Sequence, residues 1–276
     1  MTRLPLNQVT LCAADTRSPA LAAWSLQRSM EQVDFARVVL FTDQWASRQP
    51  LPGIERVQIP TLRSGADYSQ FVLRDLPAHV QTSHVLVTQW DGFVLDASAW
   101  CPDFLLHDYV GAVWPDQPAA QNVGNGGFSL RSRRLLMAGL DPRITQVHPE
   151  DQVLCRNHRA LLESEHGVRF APAELARRFA FENETPRGPV FGFHGPCNLP
   201  RVLDEHRLID VVDQLPDEFF CSRDARRLAR AMLAHRMPTA ATELLRRRRA
   251  AGRGDINTRV LGWLANGLGR LQHRQP

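Results

Sequence analysis

The chain has 276 residues and a formal charge of +4, and all 33 of its basic residues are arginine. Without lysine it cannot build a Walker-type phosphate loop, a pyridoxal-phosphate Schiff base or a protein-kinase core, each of which needs one. Apolar content of 43% and charged content of 22% are ordinary for a globular protein, and the length suits one large domain with at most a small appendage.

The arginine bias by itself is what a GC-rich coding sequence produces. Five scattered cysteines (Cys12, Cys101, Cys155, Cys197, Cys221) form no CxxC pair, so neither a zinc knuckle nor a disulfide framework is expected. The first residues, MTRLPLNQVTLCAAD, lack the apolar run of a signal peptide, and no stretch approaches the roughly 18 apolar residues of a membrane span. The expectation is a cytoplasmic protein.

From the N-terminus, strand-like and helix-like segments alternate. Residues 9–14 (VTLCAA) read as a strand ending at Asp15-Thr16-Arg17. Residues 19–32 read as a helix with proline near its start. A second strand at 37–42 (RVVLFT) ends at Asp43, and 54–59 is a third. Ser64 with Asp67 three residues on resembles a capping box, opening a helix to about His79. Residues 84–88 (HVLVT) are a fourth strand, followed by Gln89-Trp90-Asp91-Gly92. Strands separated by helices of this length predict βαβ units and a mainly parallel sheet, with ligands bound beyond the carboxyl ends of the strands. Asp15, Asp43 and Asp91 follow those ends, although strand-end aspartates also build turns and caps.

The second half is less regular. A strand is expected at 108–113, a glycine-rich turn into a strand at 123–131 (VGNGGFSLR), a short helix at 132–139 and a longer one at 149–165. A tight apolar segment, 190–196 (VFGFHGP), carries His194. Three helices follow at 222–236, 238–251 and 256–271, divided by Pro238 and by Gly252 and Gly254. Charge divides the chain too: residues 1–220 carry 20 arginines against 26 acidic residues, and residues 221–276 carry 13 against 3. The expected domains are therefore 1–220 and a helical, arginine-rich 221–276.

Four short segments have residue types suited to chemistry. Asp91 at a strand end suits a divalent cation that bridges a diphosphate. Three glycines in Gly124-Asn125-Gly126-Gly127 demand a sharp turn or close approach, and Ser129 breaks any dinucleotide-binding spacing. In His148-Pro149-Glu150-Asp151 the acids either cap a helix or act as a general base. His194 in Phe193-His194-Gly195 is either a core residue or a metal ligand.

The run Q-W-D-G, then V-G-N-G-G-F-S-L-R-S, then H-P-E-D, then F-G-F-H-G resembles the GT-A type of nucleotide-sugar glycosyltransferase. It is similar to an uncharacterised bacterial domain family with these motifs and, more distantly, to the beta-1,4-galactosyltransferases. The resemblance covers about residues 8–203. It implies a GT-A, Rossmann-like α/β fold with a mainly parallel sheet flanked by helices, followed by the all-helical appendage. It implies transfer of a sugar from a nucleotide-diphosphate donor, a UDP-sugar first, to a hydroxyl on a glycan, a lipid-linked or another acceptor, with inversion. By this resemblance Asp91 and His194 hold Mn2+ or Mg2+, Gly126 and Gly127 face the donor sugar beside Asn125, Asp151 is the base and Glu150 an acceptor-side acid. Thr16, Arg17 and Asp43 lie where such folds hold base and ribose. Arg63, Tyr68 and Ser69 lie near the nucleotide, as do Gln89 and Trp90. Gln89 departs from the family pattern: it stands where the first Asp of D-x-D is expected, and an amide is a poor ligand for a hard cation.

The arginine-rich tail is read as a solvated helical cap or as a peripheral contact with anionic membrane, at the inner face for a cytoplasmic enzyme. Nucleic acid is set aside, because Trp263 is the only aromatic residue from 222 onward. Two other readings remain: a degenerate GT-A-fold binding or assembly module, and a nucleotidyltransferase. The latter usually has a glycine-rich phosphate loop, which the turn after Ala14 lacks.

Overall fold

The computed structural model describes residues 3–47 and 49–272. It divides into two compact units, Met1–His194 and Gly195–Pro276. The division falls after His194 rather than after residue 220. The first unit is mixed α/β, with a mainly parallel central sheet flanked by helices, as the alternating segments predict.

Strand β1 (Leu4–Ala14) leads through helix α1 (Pro19–Met30) to β2 (Val33–Thr42) and β3 (Glu55–Gln58). Helix α2 spans residues 65–79, with a π turn at Phe71–Asp75, and β4 is His84–Thr88. After β5 (Tyr109–Val110) and β6 (Phe128–Ser132) come α3 (Arg133–Ala138), α4 (residues 150–157, its second half a π turn) and α5 (Arg159–His166). Helix α6 (Ala173–Phe179), β7 (Ala180–Phe181) and β8 (Gly192–Phe193) complete the unit. The six-stranded sheet has the order β3-β2-β1-β4-β6-β5. Strands β1 to β4 pair parallel, whereas β6 runs antiparallel to β4 and to β5. A separate parallel pair, β7-β8, lies beside the loop after β4 through the bridge Val94–Gly192.

The central strands are buried on both faces, the usual condition of a parallel sheet. Alternation decides which helix each side chain meets. Leu11, Ala13 and Leu86 pack in one cluster with Ala22, Ala23 and Leu26 of α1. Cys12, Val85 and Val87 pack in another with Phe71, Val72 and Leu76 of α2. A third cluster joins Tyr109 to Val153, Leu154 and Leu162 of α4 and α5. The helix expected over 149–165 is broken at His158, whose N–H reaches back five residues to the Val153 carbonyl. The strand expected at 108–113 shrinks to Tyr109–Val110, with Val113 bridging Val123 instead.

The second unit is helical: α7 (Leu199–Val202), α8 (Glu205–Gln214), α9 (Asp217–Cys221), α10 (Arg223–Ala234), α11 (Pro238–Ala250) and α12 (Ile256–Gln272). On α10 the buried residues are Ala225, Leu228, Ala229 and Met232, one stripe at helical spacing beneath an arginine-rich outer face. No helix among the described residues is long and apolar enough to cross a membrane.

Candidate active site

Four segments build one pocket of ≈500 Å³ in the first unit. The first is Gln89-Trp90-Asp91-Gly92, closed by a hydrogen bond from the Gly92 N–H to the Gln89 carbonyl at 3.2 Å. The Thr88 and Ser25 hydroxyls both donate to the Gly92 carbonyl, which fixes the turn to α1. A Cβ on Gly92 would lie 2.6 Å from the Phe193 carbonyl oxygen, so the turn sits directly against the segment carrying His194.

The second turn is Gly124–Gly127. Asn125 adopts φ 65°, a left-handed conformation that Asn tolerates better than most residues. A Cβ on Gly126 would lie 2.0 Å from Glu150 Oε1, and one on Gly127 would lie 2.0 Å from His194 Nε2. Both glycines are therefore required by close approach. Gly127→Ala is expected to push the imidazole from its place, read as a shift of the His194 ring resonances in NMR; unchanged resonances would refute the packing.

The third segment is His148–Asp151. Glu150 is 5% exposed and pairs with Arg131 of β6 at 3.0 Å, a guanidinium with no exposure at all. Arg131 also donates to the Gly126 carbonyl and to Ser129 Oγ, and stacks on Tyr109. Ser69 on α2 accepts the Glu150 N–H and lies 2.9 Å from His148 Nδ1. Asp151 is half-buried at the pocket wall, where its Oδ2 accepts the Gly126 N–H at 3.2 Å. Burial and the neighbouring Glu150 charge raise its pKa, against the pull of its two backbone hydrogen bonds.

His194 closes the pocket from β8. Its Nδ1 faces Glu182 Oε1 at 3.1 Å, and its Nε2 faces Gln89 Oε1 at 3.1 Å and Asp91 Oδ1 at 3.4 Å. Burial alone would lower the imidazole pKa, but Asp91 and Glu182 outweigh it and hold the ring up at about 10. Asp91 is 5% exposed, and its Oδ1, despite the 3.4 Å ion-pair distance, makes no well-formed hydrogen bond.

The pocket thus brings together Tyr68, Ser69, Gln89, Asn125, Gly126, Gly127, Glu150, Asp151 and His194. Asp91 lies just behind His194. Thr16, Arg17, Asp43, Arg63 and Trp90 are not among the lining residues. Thr16 exchanges hydrogen bonds with Leu62, Asp43 accepts from the Thr61 hydroxyl and the Trp45 N–H, and the Arg63 N–H donates to Asp67. Asp15 accepts the N–H groups of Arg17 and Ser18 ahead of α1, which makes it a turn former.

Sequence reasoning missed Arg131 and Glu182. In F-S-L-R-S the period of two puts Ser129 and Arg131 on the face opposite Phe128 and Leu130, which reads as a polar outer side, whereas β6 is buried on both faces. Glu182 follows a two-residue strand and belongs to no motif; only the fold carries it to His194.

Asp91 and His194 are the residues that could hold a divalent cation, once the imidazole gives up the proton that Asp91 and Glu182 hold on it. Glu182 on Nδ1 is the carboxylate that commonly orients a metal-bound histidine, leaving Nε2 and the poorly satisfied Asp91 Oδ1 adjacent. Such a cation would take the rest of its shell from a ligand, because no group of three or more His, Cys, Asp or Glu residues among the described residues forms a cage.

Fold and site together define an α/β protein with an acid-lined pocket beyond the ends of parallel strands. Residues 53–194 match the family described as Protein of unknown function (DUF5672), and the chain belongs to it. No curated protein matches the chain. Among solved structures, it is similar to a mannosyltransferase, PcManGT from Pyrobaculum calidifontis, in complex with GDP-Man and Mn2+ (14% identity, 99% of this chain and 84% of that one, TM-score 0.40). It is also similar to an active-site mutant of LgtC (14% identity, 67% of this chain and 86% of that one, TM-score 0.40).

Proposed function

We propose that the protein is a glycosyltransferase that takes its sugar from a nucleotide-diphosphate donor. The observation that supports this most is the convergence of Gln89, Gly126-Gly127, Asp151 and His194, from four separate segments, on one pocket. A base, a close-approach turn and a diphosphate-side cluster are the parts such a transfer needs.

In this reading the acceptor hydroxyl attacks the anomeric carbon, its proton passes to Asp151, and the bond from that carbon to the diphosphate oxygen breaks. Attack opposite the leaving group inverts configuration. The Gly126 N–H aims the Asp151 carboxylate, and its raised pKa makes it a stronger base than a solvated aspartate. Glu150, spent on Arg131, acts by holding the Gly126 turn and not by meeting the acceptor. Asn125 lines the pocket with Oδ1 buried and unpartnered, an acceptor for a donor-sugar hydroxyl. Gln89 offers an amide for the same ligand. A divalent cation on Asp91 and His194 would supply charge to offset the leaving diphosphate. Thr16, Arg17, Asp43 and Arg63 are proposed as an outer rim for base and ribose, since the Thr16–Leu62 tie joins the two segments that carry the arginines.

Thermal shift with a panel of UDP- and GDP-sugars, with and without manganese, tests this. At least one sugar nucleotide is expected to raise the Tm, and more so with manganese. Asp91→Ala is expected to remove the manganese increment and weaken donor binding at least about tenfold, as loss of a metal ligand does. A flat response across the panel would reject the donor site.

A further inference from the structure

Eight large hydrophobic side chains are exposed among the described residues, and five belong to α12. These are Ile256 at 78%, Trp263 at 76%, Leu271 at 65%, Val260 at 51% and Leu264 at 42%. At 100° per residue they fall on one stripe, opposite the buried Thr258, Leu261 and Ala265. The helix is therefore apolar on two faces, and its own unit covers only one. Contiguous exposed apolar surface of this kind marks a docking site.

The charges around the stripe narrow the occupant. Arg259 and Arg270 are exposed along one flank, and α12 itself has no acidic residue. A second copy docked antiparallel on this stripe would set Arg259 against Arg270 with no carboxylate on either helix to offset them. An anionic surface meets the same arginines favourably and accepts the apolar stripe. Beside Arg270 opens a groove of ≈550 Å³, edged by Thr242, Asn266 and Glu243, the last neutralised by Arg246 at 2.6 Å. Its lining includes Ala265 and Gly269, on the side of α12 away from the stripe. In the arginine run of α11, Arg246 and Arg249 are exposed, whereas Arg247 and Arg248 are committed inside the unit. Arg248 is 3% exposed and donates to the Phe220 and Ser222 carbonyls and to Thr258, while Arg247 stacks on Phe220.

We propose that α12 lies in the plane of a bilayer containing anionic phospholipid. Ile256, Val260, Trp263, Leu264 and Leu271 sink into the acyl boundary, and Arg259 and Arg270 meet the headgroups. This is the arrangement of interfacial amphipathic helices, and it holds whatever reaction the first unit performs.

Vesicle flotation of the full chain tests it, with phosphatidylcholine alone and with one-third phosphatidylglycerol. Binding to the anionic vesicles is expected to exceed neutral binding by about tenfold and to weaken with salt. Arg259→Gln and Arg270→Gln should each lower it by roughly fivefold. Trp263→Glu with Leu264→Glu should abolish it while leaving the thermal midpoint unchanged, because both side chains are exposed. No binding by the unmodified chain, equal binding to both vesicles, or unimpaired binding by the double glutamate variant would overturn the proposal. So would a vesicle-free dimer in light scattering that the double variant dissolves, for then the occupant is a second copy.

Discussion

Asp151→Asn is expected to cut sugar transfer by about a hundred- to ten-thousandfold, the span of general-base loss, and to leave donor affinity nearly unchanged. The split follows from position. Asp151 accepts the Gly126 N–H with one oxygen and the Gln152 N–H with the other, so asparagine keeps the size of the side chain and one of these two bonds and loses the base. A pH dependence accompanies it. Burial and Glu150 raise the Asp151 pKa, so the base is protonated, and activity lost, as pH falls through a value above the roughly 3.9 of a free aspartate. The acid limb of the wild-type rate profile should lie above that reference and vanish in the variant. Transfer by Asp151→Asn at the wild-type rate would remove Asp151 from the chemistry. Weakened donor binding with an equal fall in kcat/KM would make it a binding residue.

Arg131→Met carries the largest expected cost in stability, about 3–5 kcal/mol, because it strands the Glu150 carboxylate in the interior. The magnitude comes from leaving one buried charge without its partner, not from the strength of the pair. Arg131→Met with Glu150→Leu should therefore recover most of the loss, since well-packed apolar pairs often replace buried ion pairs at little cost. Urea unfolding of the two variants and of the unmodified chain measures both numbers. A single variant within about 1 kcal/mol of the parent, the upper range of surface pairs, would show that Glu150 is not a stranded buried charge. Glu150 was expected to face the acceptor as an acid. Its hydrogen bonds instead run to Arg131 and Ser69, toward the support of the turn.

Much of this was legible in the residues. HVLVT has no polar residue between its ends and matches β4 residue for residue, and Ser64 does cap α2 by accepting the Asp67 N–H. Asp67 returns its side chain to the Arg63 N–H rather than to Ser64, so the box is only half formed. Strand β1 begins five residues before its apolar run, because Leu4, Pro5 and Leu6 pair with Val33, Asp34 and Phe35. Pairing between distant segments leaves no local hydrophobic signal. The expected domain boundary and the division into compact units differ for a related reason. The expected boundary followed charge, which changes near residue 220, whereas packing changes after His194, where α7 to α9 bury Leu199, Leu208, Val212 and Phe220. The site motifs were visible as four separate oddities. Their supports, Arg131 and Glu182, were not, because a buried guanidinium and a carboxylate behind a histidine gain meaning only from neighbours far away in sequence.

The convergence of Asp91 and His194 behind the Gly126-Gly127 turn is the centre of the functional reading. A crystal structure of the protein soaked with a nucleoside diphosphate and manganese examines it most directly. The expected result is one ion touching Asp91, His194 and the diphosphate, with the free end of the ligand toward Asp151. A diphosphate bound elsewhere, or an ion that meets neither Asp91 nor His194, would contradict it.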